Sequence, residues 1–440
     1  VNNVLGFPFI FRGALDVRAT TINEEMKLAA VHAIAELAKE TIPEEVIEAY
    51  GEKSISFGKE QIIPKPLDPR LIYKVAPAVA KAAMDSKVAK EPITDWEKYE
   101  HKLKKRLGLD NKLLRDITIK AQRSPKKVVF TEGDNIKILK AAQIAYEEGI
   151  AIPVLLGRKS KIIELMDEYA IELPEVEIID PKGDEELQHR ELYGQSFFEM
   201  RKRKGFTEYE AIQIMRERNY FGSMMVNEGD ADAMITGVTR GYRSCIKPAL
   251  SSVGMQKDVK VISGMYILNT KKGPLFLADT TINLNPTAEE LAEITVNVAK
   301  TIKKFQVNPR IALLSYSNFG SSPGADAEKM SEAVKILHEN HPNIIVDGEV
   351  QANFALDPDL MNEKFSFSQI SNKDVNTLIF PNLSAGNISY KLLQNIMDGD
   401  AVGPILIGLK KSIHILQLGA SVREIINTVS YTHLTLPTIE

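Results

Sequence analysis

The rhythm of apolar and polar residues changes once along this chain. Up to about residue 125 the apolar positions recur at helical spacing. Beyond it, short apolar runs alternate with amphipathic stretches. In TTINEEMKLAAVHAIAELAKE, Met26, Ala29, Ala33 and Leu37 share one helical face, and Thr21 and Glu24 have the spacing of a capping box. A proline-broken stretch, KEQIIPKPLDPR, leads into a second helix with Asp68 as its N-cap and Pro69 as its first residue. Residues 87–124 are densely charged, and DWEKYEHKLKKRLG predicts an exposed helix within a connector.

The second part reads as alternating strands and helices. KVVF, AIPVLLG, ADAMITG, KVISGMYIL, PLFLADTT, RIALLSYS, NTLIFPN and GPILIGL are the apolar runs, most of them separated by amphipathic helices. Strands buried on both faces and alternating with helices predict parallel, doubly wound α/β units. Ligands in such sheets bind beyond the carboxyl ends of the strands, so the loops there are the candidates for chemistry.

Composition narrows the picture slightly. A chain of 440 residues with 44% hydrophobic and 26% charged residues suits two or three globular domains. A net charge of −4 argues against nucleic acid or an anionic membrane as partner. Cys245 is alone, which excludes an internal disulfide framework and fits a reducing cytoplasm. No apolar run approaches the ~20 residues of a spanning helix. The apolar opening VLGFPFIF lacks a basic flank, so a signal peptide is not expected, and the start at Val1 in mid-pattern suggests a piece of a longer protein. At the other end, residues 431–440, YTHLTLPTIE, abandon the preceding helical period and are expected to be either a non-native run-on or a plain surface tail.

Several strand-end loops have the right residue types to hold an anion. In LLSYSNFGSSPGADAEKM, Ser315, Ser317, Asn318, Gly320, Ser321 and Ser322 lead into a helix, where backbone N–H groups and the helix N-terminus favour negative charge; a flexible helix cap is the competing reading. In MITGVTRGYRSCIKPAL, Arg240, Arg243 and Lys247 could clamp a phosphate or carboxylate, or form a solvated basic face. Arg201 lies in EMRKRKGFT, a stretch that reads equally as a helix C-terminus satisfied by cations. Asn382, Gly386 and Asn387 stand in FPNLSAGNISYK, again compatible with a simple cap. There is no Walker loop, dinucleotide GxGxxG, HExxH or CxxC motif, and seven scattered histidines suggest no metal cluster.

Taken in order, EMRKRKGFT, ADAMITG, ADTTIN, LLSYSNFGSS, DGEVQANFAL, FPNLSAGNISYK and GPILIGL resemble the phosphate acetyltransferases, or phosphotransacetylases. The resemblance implies a two-subdomain parallel α/β fold with a central cleft over residues 125–430. One subdomain would take 125–257 and 401–430, the other 258–400. Residues 1–86, with VNNVLGFPFIFRGALDVRATTINEEMKLAA and IIPKPLDPRLIYKVAPAVAKAAM, resemble the helical end of the Rossmann-type cofactor domain of bacterial malic enzymes. Together these imply the large NADP-dependent malic enzymes, which oxidise and decarboxylate malate with NADP and a divalent metal, Mg or Mn. Asn2 and Asn3 match an Asn-Asn pair near the substrate. The tyrosine, lysine, metal ligands and glycine-rich turn of that activity would precede Val1, so no metal site is expected in this chain. A homo-oligomer in the cytoplasm is implied as well.

The resemblance also implies a departure. Phosphotransacetylases carry a Ser-Arg pair before a glycine, then an aspartate base. In SIHILQLGASVRE, Gln417 and Leu418 stand at the Ser-Arg positions, Gly419 is kept, and Glu424 stands at the base. Arg201 matches one further family arginine, and Lys247 replaces another. The expectation is a domain that binds acetyl-CoA, CoA or an acyl phosphate with little turnover and regulates malate oxidation. The alternatives are an active acyltransferase and a purely structural domain.

Overall fold

The computed structural model describes residues 3–43, 46–47, 50, 57–59, 61–106, 112–270, 272–397 and 401–435. The chain forms two compact units, residues 1–112 with 166–171, and the remainder.

The first unit is helical where it is described. Helices Phe7–Asp16, Glu24–Lys39, Arg70–Asp85 and Trp96–Arg106 bury one core that includes Val17, Met26, Leu37, Leu71, Val75, Val79 and Leu103. Gly13 permits the first and third of these helices to touch, since a Cβ there would lie 2.5 Å from the Ala76 carbonyl oxygen. The second helix departs from expectation at its start. Its N-cap is Asn23, whose side chain accepts from the Met26 amide at 3.1 Å, in place of a Thr21–Glu24 box. Asn23 lies one turn from Met26 and so reaches the orphan amide directly. The third helix starts one residue later than expected, with Pro69 at its N-cap position; Asp68 just ahead of it accepts from the Arg70 amide at 2.9 Å, and its carboxylate also holds the Arg70 guanidinium at 2.7 Å. The Trp96–Arg106 helix is not merely exposed, because Tyr99 and Leu103 are buried in this core.

The second unit contains two sheets. β1 (Lys126–Phe130), β2 (Ala151–Leu156), β3 (Glu177–Ile179), β4 (Ala233–Thr236) and β11 (Ser412–Ile415) form a parallel sheet in the order β11-β4-β1-β2-β3. β5 (Ser263–Thr270), β6 (Gly273–Ala278), β7 (Arg310–Leu314), β8 (Ile345–Val350), β9 (Thr377–Ile379) and β10 (Ala401–Ile407) form another, ordered β10-β5-β6-β9-β7-β8. This sheet corrects the all-parallel expectation, for β5 pairs antiparallel with both β6 and β10. The short connection from Thr270 to Gly273 allows only a hairpin there. β10 therefore lies on the second sheet, and the chain rejoins the first sheet after Ile407 instead of at residue 401.

Burial explains both sheets. β4 and β10 are buried at every position, which is why they read as continuous apolar runs. Helix Lys112–Arg123, the end of the charged connector, puts Leu113 and Ile117 into the core of the second sheet. The last helix, Val422–Thr435, continues unbroken past Ser430, with Tyr431 and Thr432 buried. The expected tail is thus helical in its first residues, and 436–440 lie outside the described residues.

His414 on β11 is buried. Its Nε2 meets the Ser412 hydroxyl at 2.9 Å, its Nδ1 has no hydrogen-bond partner, and Tyr431 packs edge-on against the ring. Burial lowers its pKa from the ordinary 6.5 to about 4. The folded chain keeps the ring neutral, while the unfolded chain binds a proton below the ordinary value. Stability is therefore full above that value and falls as the pH drops towards 4, by up to about 3 kcal/mol. Urea unfolding at pH 7 and pH 5 should show a pH-dependent loss of about 2 kcal/mol that His414→Gln removes.

Candidate functional site

Buried carboxylates hold several of the strand-end loops from inside. Glu132, just after β1, accepts from the backbone amides of Gly237, Val238 and Thr239 at 2.8, 2.7 and 2.9 Å, which fixes the loop after β4. Below it, Thr236 hydrogen-bonds Thr131 and Asn219 at 2.8 and 2.9 Å. Asp279, after β6, accepts from the amides of Gly264, Thr281, Ile282 and Asn283 at 2.8 to 3.2 Å. Burial raises the Asp279 pKa, and these backbone donors pull against it.

The Ser/Gly loop after β7 is organised by Glu349 of β8. The Glu349 carboxylate accepts from the Ser317 hydroxyl at 2.9 Å and the Gly320 amide at 2.6 Å. Ser321 and Ser317 side chains accept from the amides of Asn318 and Ser322, and Ser315 accepts from the Ser317 amide. The donors that sequence reasoning offered to an anion are thus largely engaged within the loop. Gly320 takes a φ of 85°, which its missing Cβ makes easy.

Helix Leu383–Met397 carries the Asn-Gly residues. Asn382 caps it, accepting from the Ala385 amide at 3.0 Å, and Asn387 donates to the Thr280 carbonyl at 3.1 Å. Gly386 is buried against Asp279, where an added Cβ would come within 2.2 Å of the carbonyl oxygen. This helix also meets the segment after β11. Lys391 donates to the Gln417 side chain at 2.9 Å, and Gln394 donates to Glu424 at 2.9 Å. The other Glu424 oxygen accepts from the Ser421 amide and hydroxyl at 2.9 and 3.0 Å, while Ser421 accepts from the Glu424 amide, a capping box that starts the last helix. The Leu418 side chain is 67% exposed.

The candidate cations are dispersed. Arg201 donates to the Leu250 and Ser251 carbonyls, both at 2.6 Å, at the end of helix Tyr242–Ser252. Arg240 pairs with Glu217. Arg243 and Lys247 lie exposed one turn apart on that helix. Asn3 opens a short 3-10 turn and is exposed, and Asn2 lies outside the described residues. Gln417, Glu424, Gly386 and Asn387 are thus associated with one helix. The four basic residues form no single clamp.

Sequence reasoning missed Glu132, Lys391 and Gln394, together with Arg158 after β2, Lys182 after β3, and Arg216 and Arg218 at the start of helix Arg218–Glu228. Glu132 stands in FTEGD directly after an apolar strand, a signal that could have been used. Lys182 follows β3, a three-residue edge strand with no strong apolar run.

Residues 112–433 match the family described as phosphate acetyl/butaryl transferase. A phosphate acetyltransferase from Corynebacterium glutamicum is 36% identical over 71% of this chain and 94% of its own length. The chain belongs to the phosphate acetyl/butaryl transferase family. A solved phosphotransacetylase from Streptococcus pyogenes has the same fold, with a TM-score of 0.68 and 33% identity over 73% of this chain and 97% of that one. The similarity extends further to an NADP-dependent malic enzyme from Haemophilus influenzae, 43% identical over 98% of this chain. The chain spans 57% of that relative's length.

For a transferase-family site, the groups present define what can be held. Among the described residues no three of His, Cys, Asp and Glu gather as metal ligands. The first unit has no strand-to-helix glycine turn among its described residues. No described helix is long and apolar enough to cross a membrane.

The role of Glu349 can be tested. Glu349→Ala leaves the Ser317 hydroxyl and Gly320 amide without their acceptor, at a cost of about 1–3 kcal/mol per group. Hydrogen exchange across 317–322 should accelerate at least about tenfold, with β1 and β2 amides unchanged.

Proposed function

We propose that this chain is the acyl-CoA-sensing portion of an NADP-dependent malic enzyme, binding acetyl-CoA or CoA without efficient transfer of the acyl group. Phosphotransacetylase chemistry is attack of the CoA thiolate on the carbonyl of an acyl phosphate. It requires a base for the thiol, a cation for the phosphate and donors for the oxyanion. The observation that carries the reading is at position 418. By the family resemblance a guanidinium belongs there, and this chain has an exposed leucine. Gln417 beside it is engaged with Lys391, and Glu424 is held by Ser421 and Gln394. Loss of one oxyanion donor alone costs ~10²–10³ in rate.

Malate oxidation yields pyruvate, a precursor of acetyl-CoA, so feedback on the malic activity is a chemically sensible use of such a domain. A coupling of about 1–3 kcal/mol suffices. NADP, the divalent metal and malate would act on the malic enzyme portion, and the preference for NADP follows that of the relative. The competing reading, a live transferase, relies on Arg243 and Lys247, which carry no ion pair among the described residues.

Two measurements decide between them. With acetyl phosphate and CoA, the wild-type chain should form thioester slowly, and Gln417→Ser with Leu418→Arg should raise the rate about 10²-fold. Sustained wild-type turnover within the usual enzymatic range of ~1–10³ s⁻¹ would overturn the sensing role. Calorimetry with acetyl-CoA should give saturable binding, whereas a purely structural domain gives none.

A further inference from the structure

We infer that the first sheet of the second unit carries a separate binding site for a compact, polyphosphorylated metabolite. A cavity of about 550 Å³ lies over the carboxyl ends of the strands. Arg158 follows β2, Lys182 follows β3 and Arg240 follows β4, while Arg216 and Arg218 come from the start of helix Arg218–Glu228. In open parallel sheets this is the edge where ligands bind.

The charges are unevenly matched. Five cations line the cavity, against the carboxylates of Asp180 and Glu217. Two of the cations are held in place from behind. Asp134 grips Arg218 through two bonds of 2.6 and 2.8 Å, which lowers the Asp134 pKa and fixes the guanidinium plane. Glu217 pairs with Arg240 and with its other oxygen caps the helix, accepting from the Asn219 and Tyr220 amides at 3.0 and 3.2 Å. Among the described residues Arg158 and Lys182 have no carboxylate within ion-pairing distance, and the Arg216 guanidinium makes one long bond, 3.4 Å, to the Lys182 carbonyl. Gly157 lies at this edge, where an added Cβ would press on Ile162 at 3.0 Å and reach ordinary contact with the Arg218 guanidinium carbon at 3.6 Å.

Converging cations repel one another until an anion bridges them. Arginine forks match phosphate oxygens two at a time. Two fixed guanidinia beside three exposed cations suit a ligand with at least two phosphoryl groups. The lining contains no aromatic or aliphatic side chain, so a ligand there is held by charge and hydrogen bonds instead of apolar burial. Arg201, Gln417 and Glu424 do not line it; Arg240 is the one residue it shares with the candidate anion-binding residues read from the sequence.

Calorimetric titration of the whole 440-residue chain with pyrophosphate, at low ionic strength, tests the inference. One saturable site per chain is expected, weakened at least tenfold in Arg158→Ala and in Arg216→Ala and unchanged in Arg201→Ala. Both weakened residues are exposed, and thermal melts of the variants should match the wild type. Citrate should bind at least tenfold more weakly, and saturating acetyl-CoA should leave pyrophosphate binding intact. No saturable heat, equal affinity for citrate, indifference to both arginine variants, or competition by acetyl-CoA would each overturn it. Acetyl-CoA binding is read in its own titration, so failure here leaves that measurement independent.

Discussion

Burying a carboxylate among backbone amides is the constraint on which the second unit's working edge depends. Glu132, Asp279 and Glu349 each sit within the protein and each gather N–H groups from a loop that would otherwise have none to satisfy them. A buried charge without partners would be expensive, and amides without acceptors would be too. The two needs cancel only if the loop wraps the carboxylate. The loops are therefore shaped by the protein's own anions. That shape is pre-set by the strands that deliver the carboxylates.

This arrangement explains why the candidate ligand residues look dispersed. Arg201 satisfies a helix end, the Ser/Gly loop satisfies Glu349, and Asn387 satisfies a carbonyl after β6. Family membership is thus compatible with residues whose first duty is architectural. On the function proposed above, the difference between transfer and binding rests on few positions, chiefly 417 and 418. Those lie after β11, where the chain leaving the parallel sheet meets helix Leu383–Met397.

Much of the fold was legible because fully buried strands leave an unmistakable apolar run, as in VVF, AMIT and AVGPILI. β8 was not, since Asp347 and Glu349 break its apolar pattern and read as loop residues. Their charges are satisfied by donors distant in sequence, Ser368 and Gln369 for one, Ser317 and Gly320 for the other. Strand direction was also hidden, because the hydrophobic pattern of β5 and β10 is the same whether they pair parallel or antiparallel. The substitutions at 417, 418 and 424 could be seen only against the family motif. The bonds that occupy Glu424 come from Gln394, thirty residues away, and from Ser421 in a pattern that the sequence S-V-R-E does contain.

That capping box joins two properties that are usually separate. If Glu424 served as the base, the carboxylate collecting the proton would also be the one that closes the first turn of the final helix, one oxygen held by Gln394 and the other by Ser421. Freeing it for chemistry would fray the segment that supports it, so reactivity and local order at this corner would compete for one carboxylate. A side chain one carbon shorter would draw back from Ser421 and shift that contest, which makes the length of the residue at 424 a mechanical setting as much as a chemical one.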